Sequence, residues 1–349
     1  MNDNTVTQER ATDFSPALTR IGEKKGRSKA VRKRIIFWTK LLLTLSVLIL
    51  LIITIKPREI TSAFEGSRFP LLLISLGLVI PNIGLRAIQW GYLLRMVKPE
   101  VKVREILNSL LVGSTFAVVT PGQLGEFGRA FFISGRPRLE LIGISFIDKM
   151  YSLLPIILSG SLGLLFMPGL VFGSNSYIFI SSAVLVAILW LILISILLSP
   201  RWIRDLLYAV NVMLPYRDKV KVLLSGLDPI KIKQSLVLTG LSSTHYLLYI
   251  FQFYLLIISF QHVGLLDMYR AVSAIIFVKA ALPISIGGLG VGETASVGFL
   301  RVFDVQFAAA FNSSVILFTI NILFPALVGV IILLKLRLSP ENGNGKPDA

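Results

Sequence analysis

The chain has 349 residues, of which 54% are hydrophobic and only 15% are charged, and its mean hydropathy is +0.77. This composition excludes a soluble globular protein with a polar surface, so we expect a lipid bilayer to be its main solvent. The formal net charge of +16 comes from Lys and Arg in short stretches between apolar runs. That pattern is typical of cytoplasmic membrane loops and not of a nucleic-acid-binding domain.

Cysteine is absent, and the only histidines are His245 and His262. These residue types give no basis for disulfides, thiolate ligands or a zinc site built by the protein. No spacing supports a Ser-His-Asp triad either. We therefore expect no metal, no other cofactor and no catalytic residues.

The first 34 residues are polar, and their Lys and Arg cluster towards residue 34. This segment has too few apolar residues to fold alone, so residues 1–34 are predicted to be a disordered, basic cytoplasmic tail. The apolar run 35–55 is long and is followed by no small-residue cleavage site. It is interpreted as a signal anchor that stays in the protein.

Six apolar stretches are long enough to cross about 30 Å of hydrocarbon as helices. They are 35–55, 69–94, 141–167, 177–199, 235–260 and 306–334. Two further stretches, 106–133 and 271–300, are interrupted near the middle by Pro and several Gly, which break helices. The predicted membrane domain is therefore a single unit over residues 35–335.

The distribution of positive charge decides how the two interrupted stretches lie. If both crossed the membrane, the basic segment 200–233 would lie outside, against the positive-inside rule. If each enters and returns on the same side, the basic loops, the N-terminal tail and the tail 336–349 all lie in the cytoplasm. We therefore predict an all-α polytopic membrane protein with about six full spans and two re-entrant helical hairpins, where simple hydropathy would count about seven or eight spans.

In this topology the two hairpins enter from opposite faces of the membrane. Each is the middle of a span–hairpin–span triplet, the triplets are inverted with respect to one another, and span 177–199 joins them. Inverted triplets with broken helices are a recurring transporter architecture in which the broken segments hold the substrate. The direct similarity between the hairpins is limited to Pro121-Gly-Gln-Leu-Gly-Glu126 and Gly287-Gly-Leu-Gly-Val-Gly-Glu293.

The basic loop 200–233 contains apolar residues at helical spacing between Ile203 and Leu214. This pattern predicts an interfacial helix that lies on the cytoplasmic leaflet. The alternative is an ordinary solvated loop.

The backbone of the two broken segments supplies candidate binding groups. Half-helices that begin there would direct unpaired N–H groups into the membrane, where they attract anions such as phosphate. Glycine also lets a ligand approach closely, although these glycines could instead serve only tight helix packing. The backbone candidates are Pro121, Gly122, Gly125, Pro283, Gly287, Gly288 and Gly290.

Seven ionisable residues fall inside the predicted spans and hairpins. Charges there are unfavourable unless they face a cavity or pair with one another. Asp148 and Lys149 are neighbours on a helix and point about 100° apart, so they cannot both serve one partner. The seven candidates are Arg86, Glu126, Arg129, Asp148, Lys149, Lys279 and Glu293.

Two ion pairs are predicted among these residues. Glu126 and Arg129 lie three positions apart and share a helix face, so they could pair. Lys279 is the expected partner of Glu293 across the second hairpin. The alternative for each pair is that it only orients helices, and Arg86 and Arg129 could also extend to the cytoplasmic interface.

One face of span 235–260 could form the wall of the polar cavity between the hairpins. Its candidates are His245, Tyr246, Tyr249 and Gln252. More often such an aromatic stripe is packing or an interfacial belt.

Four motifs carry a resemblance to a known family. They are Gly84-Leu-Arg86-Ala-Ile-Gln-Trp90, Thr120-Pro-Gly-Gln-Leu-Gly-Glu126 with Arg129, Asp148-Lys149, and Pro283-Ile-Ser-Ile-Gly-Gly-Leu-Gly-Val-Gly-Glu293. From about Trp38 to Lys335 the chain resembles the lysylphosphatidylglycerol synthase transmembrane (flippase-like) family. The resemblance implies the part of such synthases that moves a modified lipid between leaflets, and other members accompany glycan or lipid-linked sugar pathways. Because no soluble aminoacyl-transferring domain follows the last span here, we do not expect lipid aminoacylation to carry over.

The leading hypothesis is a flippase-like protein that translocates a phosphate-bearing lipid or lipid-linked intermediate, without being an enzyme. Lys279, Arg129 and Arg86 would bind the phosphate, while the three carboxylates would balance the cations, bind a cationic group or take up protons. Two alternatives remain: a membrane-embedded enzyme of a lipid-modifying or glycan pathway, and an accessory subunit for a separate soluble transferase.

The expected partner is a membrane lipid or lipid-linked head group, and no nucleic acid. A soluble transferase and a homo-oligomer are left open by the sequence. The expected location is the cell (inner or plasma) membrane, with both termini in the cytoplasm.

Overall fold

The computed structural model describes residues 67–120, 122–167, 176–198, 221–222, 228, 230–282, 288 and 290–338. Every secondary-structure element in these ranges is a helix, which confirms the all-α class. The predicted tail 1–34, span 35–55, the interfacial helix within 200–233 and the tail from residue 339 onwards lie outside the described residues.

Ten α-helices, one 3₁₀ helix and one π-helix are described. In chain order they are α1 (Phe69–Gly77), α2 (Val79–Val97), α3 (Val103–Val118), the 3₁₀ helix (Leu124–Phe132), α4 (Arg138–Leu165), α5 (Ser176–Leu198), α6 (Ile232–Phe260), α7 (Leu265–Ala281), α8 (Val291–Arg301), α9 (Phe307–Phe318), the π-helix (Thr319–Leu323) and α10 (Phe324–Leu338).

Five helical segments are long and apolar enough to cross a membrane, and each coincides with a predicted span. The protein is therefore a multi-pass membrane protein. The segments are Phe69–Val97, Arg138–Leu165, Tyr177–Ser195, Ile232–Phe260 and Phe307–Lys335.

The first interrupted stretch folds as a hairpin of α3 and the 3₁₀ helix. Gly113 in α3 faces Arg129 in the 3₁₀ helix, so the two arms run antiparallel. Beyond the second arm, the N–H of Ser134 donates to Glu105 Oε1 at the start of the first arm, at 3.1 Å. The turn passes through Gly122, whose φ of 60° favours glycine. The ends of the hairpin therefore lie together, as a re-entrant segment requires.

The second interrupted stretch folds in the same way from α7 and α8, although residues 283–287 and 289 of its turn lie outside the described ranges. The amide of Gln261, just before α7, donates from Nε2 to the carbonyl of Asp304 at 2.8 Å. Its Oε1 accepts the N–H of Gln306 at 2.8 Å. These bonds join the start of the first arm to the end of the second.

The two hairpins leave from opposite ends of a helix pair. The N–H of Arg68, before α1, donates to the carbonyl of Ser259 near the end of α6, at 2.9 Å. Near the other end, Ser242 Oγ donates to Gln89 Oε1 at 3.0 Å. Helices α1–α2 and α6 are therefore antiparallel, so the hairpins that follow α2 and α6 are inverted with respect to one another.

Glycine contacts of the same kind occur in both triplets and give independent support for the inverted repeat. A Cβ added to Gly160 in α4 would lie 2.9 Å from the carbonyl oxygen of Ser273 in α7. A Cβ added to Gly329 in α10 would strike the carbonyl of Leu111 in α3. In each case the last helix of one triplet packs on the hairpin backbone of the other, which only a small residue permits.

Candidate functional site

Five of the seven ionisable candidates meet where three elements pack together. Arg86 lies on α2, Glu126 and Arg129 lie on the 3₁₀ helix, and Asp148 and Lys149 lie on α4. The turn at Gly122 returns the chain so that the 3₁₀ helix packs on both α3 and α4. We call these five residues the first charge cluster.

Glu126 is a buried carboxylate that two cations share. Its Oε1 accepts a hydrogen bond from Arg86 Nη2, and its Oε2 lies 2.9 Å from Lys149 Nζ. The side chains of Arg86 and Lys149 remain 35% and 29% exposed, respectively, whereas that of Glu126 is 9% exposed. Both cations are therefore accessible to a ligand, while the buried carboxylate of Glu126 fixes their positions.

Arg129 and Asp148 form a second, closed ion pair, with 2.7 Å between Nη2 and Oδ2. The guanidinium of Arg129 stacks on Trp90 at 3.9 Å from the ring centroid and donates from Nε to Ser145 Oγ at 3.3 Å. Asp148 Oδ1 accepts Gln89 Nε2 at 2.9 Å. Because Arg129 is only 2% exposed, it does not extend to the membrane interface.

The predicted pair between Glu126 and Arg129 is therefore wrong, because α4 offers each residue a better-placed partner. Asp148 and Lys149 diverge around α4, so one reaches Arg129 and the other reaches Glu126. The expectation that these neighbours cannot serve one partner is confirmed.

The second hairpin places Lys279 and Glu293 differently from the sequence-based prediction. Glu293 Oε2 accepts the N–H of Gly290 at 2.5 Å, which caps the start of α8. Within the ranges that the structure describes, no carboxylate lies within ion-pair distance of Lys279 Nζ, so the predicted Lys279–Glu293 pair is wrong. The pair does not form because the backbone N–H of Gly290, at the start of α8, binds the carboxylate of Glu293 three residues later.

One of the two described glycines in the second turn makes room for the side chain of Lys279. Gly288 and Gly290 have φ of 84° and 85°, values that favour glycine. A Cβ on Gly288 would lie 2.5 Å from Lys279 Cε, whereas a Cβ on Gly290 would meet nothing within 4 Å. Gly288 therefore leaves the space that the Lys279 side chain occupies.

One turn of α6, from His245 to Tyr249, interacts electrostatically with the charged candidates. Tyr249 is within electrostatic reach of both Arg86 in the first charge cluster and Glu293 in the second hairpin. His245, one turn earlier, is within reach of Arg86 and Glu126, and its ring centroid lies 6.5 Å from that of Tyr249. This turn of α6 is therefore within electrostatic reach of one carboxylate of each hairpin, Glu126 and Glu293.

The other two wall candidates on α6 belong to the packed interior. Gln252 is fully buried, and its Oε1 accepts Asn82 Nδ2 at 2.6 Å and Asn321 Nδ2 at 2.8 Å. Tyr246 is 5% exposed. The predicted wall is therefore reduced to His245 and Tyr249.

Chemically, this arrangement suits an anion. Arg86, Lys149 and Lys279 present ammonium or guanidinium groups, and α8 presents the positive end of its dipole. Arg129 Nη1 is buried and has no hydrogen-bond partner in the part of the chain described. No group of three His, Asp or Glu that could hold a metal ion occurs among the described residues.

Some functional candidates could not be placed, and others were missed. Pro121, Pro283 and Gly287 lie outside the described residues. Gly125 packs so closely on α3 that an added Cβ would strike the carbonyl of Phe116, which gives this glycine a packing role. Trp90 and Gln89, which orient Arg129 and Asp148, were not predicted, because neither residue type signals such a role without the fold.

Comparison with known proteins gives one match. A family model described as "Lysylphosphatidylglycerol synthase TM region" matches residues 37–329. No curated protein and no solved structure matches the chain.

Proposed function

The chain belongs to the lysylphosphatidylglycerol synthase transmembrane family, and from that premise we propose that it moves a phosphate-bearing lipid or lipid-linked intermediate between leaflets. The family is a membrane domain linked to lipid modification and flippase roles. In this proposal the head group passes between the two hairpins while its tails stay in the bilayer. The protein does not change the lipid chemically.

The observation that carries the proposal is the first charge cluster, in which the buried Glu126 is shared by two partly exposed cations, Arg86 and Lys149. A head group that crosses a bilayer needs polar contacts at membrane depth, since an unpaired charge there is costly. Inverted hairpins supply such contacts from both ends of the membrane, since Glu126 lies on the first hairpin and Lys279 and Glu293 lie on the second. This is the arrangement in which broken-helix transporters hold a substrate.

The first charge cluster would receive the phosphate through Arg86 and Lys149. Both side chains are partly exposed, and both donate to Glu126. A phosphate oxygen competes with Glu126 for the same donors, so its binding would loosen the contacts of Glu126. When the head group leaves, Arg86 and Lys149 would again donate to Glu126. This competition keeps their affinity for the phosphate low enough for release.

The second hairpin would receive the phosphate through Lys279 and the start of α8. Lys279 has no carboxylate partner in the described ranges, and the N-terminus of α8 carries a partial positive charge. Glu293 holds this helix start in shape through its bond to the N–H of Gly290. The movement between the two positions would be a rocking of one triplet against the other.

We also propose that the protein resides in the cell membrane with both termini in the cytoplasm. The basic loops support this orientation, since Lys and Arg are retained on the cytoplasmic side. A cytoplasmic partner enzyme is not needed for the movement itself.

The test is the transfer of a head-group-labelled phospholipid between leaflets of proteoliposomes, with lipid masses measured before and after. We expect Glu126→Gln and Glu293→Gln to abolish transfer while both proteins remain folded, and the lipid masses to stay unchanged. Glu105→Gln is the matched control, because Glu105 lies at the outer end of the first hairpin and pairs with Lys98 at 2.7 Å. Wild-type transfer by both hairpin variants, or a change in lipid mass, would overturn the proposal.

A further inference from the structure

The charges of the seven ionisable candidates, all of them inside the predicted spans and hairpins, do not cancel. The cations are Arg86, Arg129, Lys149 and Lys279, and the carboxylates are Glu126, Asp148 and Glu293. Four cations and three carboxylates leave one positive charge. Residues 283–289, the turn of the second hairpin, contain no ionisable side chain, so the turn does not alter this balance.

The position of the uncancelled charge follows from the contacts. Arg129 and Asp148 neutralise one another in a closed pair at 2.7 Å. Arg86 and Lys149 share the single carboxylate of Glu126, so this group of three carries one positive charge in excess. The excess charge therefore lies on two side chains that a ligand can reach.

The second hairpin adds no net charge, and its two charged residues, Lys279 and Glu293, interact electrostatically without forming an ion pair. Glu293 is engaged by the N–H of Gly290, and Lys279 has no carboxylate partner in the ranges described. An approaching anion would thus meet Lys279 without first displacing a carboxylate from it.

In a medium of low dielectric constant, the best ligand for such a site is one that cancels its charge. A head group of total charge −1 brings the site and ligand to neutrality. A zwitterionic head group leaves the excess charge in place, and a net cationic head group adds a second one.

Resting on the proposed function, we propose that this site selects a lipid whose head group has a total charge of −1. Its chemical class is a phosphodiester without an amine. Zwitterionic and aminoacylated head groups bind less well, because they leave the excess positive charge of the site uncancelled. The phosphodiester oxygens contact Arg86 and Lys149 at the first hairpin, and Lys279 at the second.

The experiment compares lipids with identical acyl chains added to the purified full-length protein in detergent. The probes are phosphatidylglycerol (charge −1), phosphatidylethanolamine (neutral overall) and lysyl-phosphatidylglycerol (charge +1), and the readout is the dissociation constant from the ligand-induced rise in melting temperature. We expect phosphatidylglycerol to bind about tenfold more tightly than either of the others. Equal affinities, or tightest binding of the aminoacylated lipid, would overturn the inference.

A charge change within the site sharpens the test. Lys149→Gln removes the excess charge, because Glu126 then neutralises Arg86 alone, so the preference for phosphatidylglycerol over phosphatidylethanolamine should largely disappear. Lys98→Gln is the control, because Lys98 pairs with Glu105 away from the site, and it should leave the wild-type order unchanged. An unchanged preference in Lys149→Gln would count against the inference, and if that variant does not fold the wild-type order of lipids decides alone.

The outcomes also separate this inference from the proposed function. Selective binding of phosphatidylglycerol without transfer in proteoliposomes would support the charge rule and overturn translocation. Transfer at equal rates for head groups of different charge would support translocation and overturn the charge rule. Deacylated glycerophosphoglycerol is a further probe: if it binds as tightly as phosphatidylglycerol, the ligand is a soluble anion and both proposals fail.

Discussion

Arg129 and Asp148 join the first hairpin to α4 through an ion pair of 2.7 Å whose two side chains are almost completely buried. Trp90 covers one face of the guanidinium, and Gln89 binds the second carboxylate oxygen of Asp148. This pair is closed to ligands, in contrast to Arg86 and Lys149. It fixes the position of the 3₁₀ helix, and with it the position of Glu126.

Removing one partner of this pair should destabilise the protein strongly. Asp148→Asn leaves the Arg129 charge buried without compensation, and we expect the free energy of unfolding to fall by about 3–5 kcal/mol. The measurement is thermal or denaturant unfolding in detergent. Adding Arg129→Met to Asp148→Asn should restore part of the loss, since the uncompensated charge is then gone. An Asp148→Asn variant as stable as the wild type would show that the pair does not hold the hairpin.

Gly160 and Gly329, which each pack against the backbone of the other triplet, should tolerate no larger side chain. Gly160→Ala and Gly329→Ala place a methyl group against the backbone of α7 and α3, and each should lower the free energy of unfolding by about 1–3 kcal/mol. Gly240→Ala is the matched control, because a Cβ there meets nothing within 4 Å and alanine favours the helix. It should be neutral or stabilising in the same unfolding assay. Equal effects at all three positions would contradict the close packing.

Substitutions at Gly288 and Gly290 distinguish the effect of backbone strain from the effect of contact with Lys279. Gly288→Ala and Gly290→Ala both place alanine at a positive φ, at a similar cost of about 1–2 kcal/mol in stability. Only Gly288→Ala pushes on the Lys279 side chain. We therefore expect the affinity for phosphatidylglycerol to fall several-fold more in Gly288→Ala than in Gly290→Ala. Equal losses of affinity would mean that the position of Lys279 does not matter for binding.

Glu126→Gln should change affinity and rate in opposite directions. Without the carboxylate, Arg86 and Lys149 are free to hold an anionic head group, so phosphatidylglycerol should bind more tightly. Transfer between leaflets should nevertheless stop, since no group competes for the cations when the head group has to leave. Binding assays and proteoliposome transfer measure the two quantities separately. A parallel loss of binding and transfer would instead indicate a purely structural role.

The spans and hairpins could be predicted because hydropathy, Pro and Gly, and loop charge are local properties of the sequence. Long apolar runs located five spans that the structure describes, and the breaks near Gly122 and Gly288 located the turns. Loop charge also predicted the inverted arrangement, which the antiparallel contact of α2 with α6 bears out.

The partners within the site could not be predicted in the same way. Glu126 pairs with Arg86, which lies 40 positions earlier, whereas helical spacing suggested Arg129. That choice depends on how α2, the 3₁₀ helix and α4 pack, and no local pattern encodes it. For Glu293 the competing partner was a backbone N–H, which sequence patterns of charge do not show.

The paired glycine contacts at Gly160 and Gly329 bear on the energetics of the whole chain. Each triplet packs on the other through the same kind of glycine contact. If the two triplets exchanged their conformations, each of these contacts would therefore be replaced by an equivalent one. The two end states of such an exchange would then differ little in free energy. A bound head group, with a differential affinity of only a few kcal/mol, would suffice to tip the balance from one to the other.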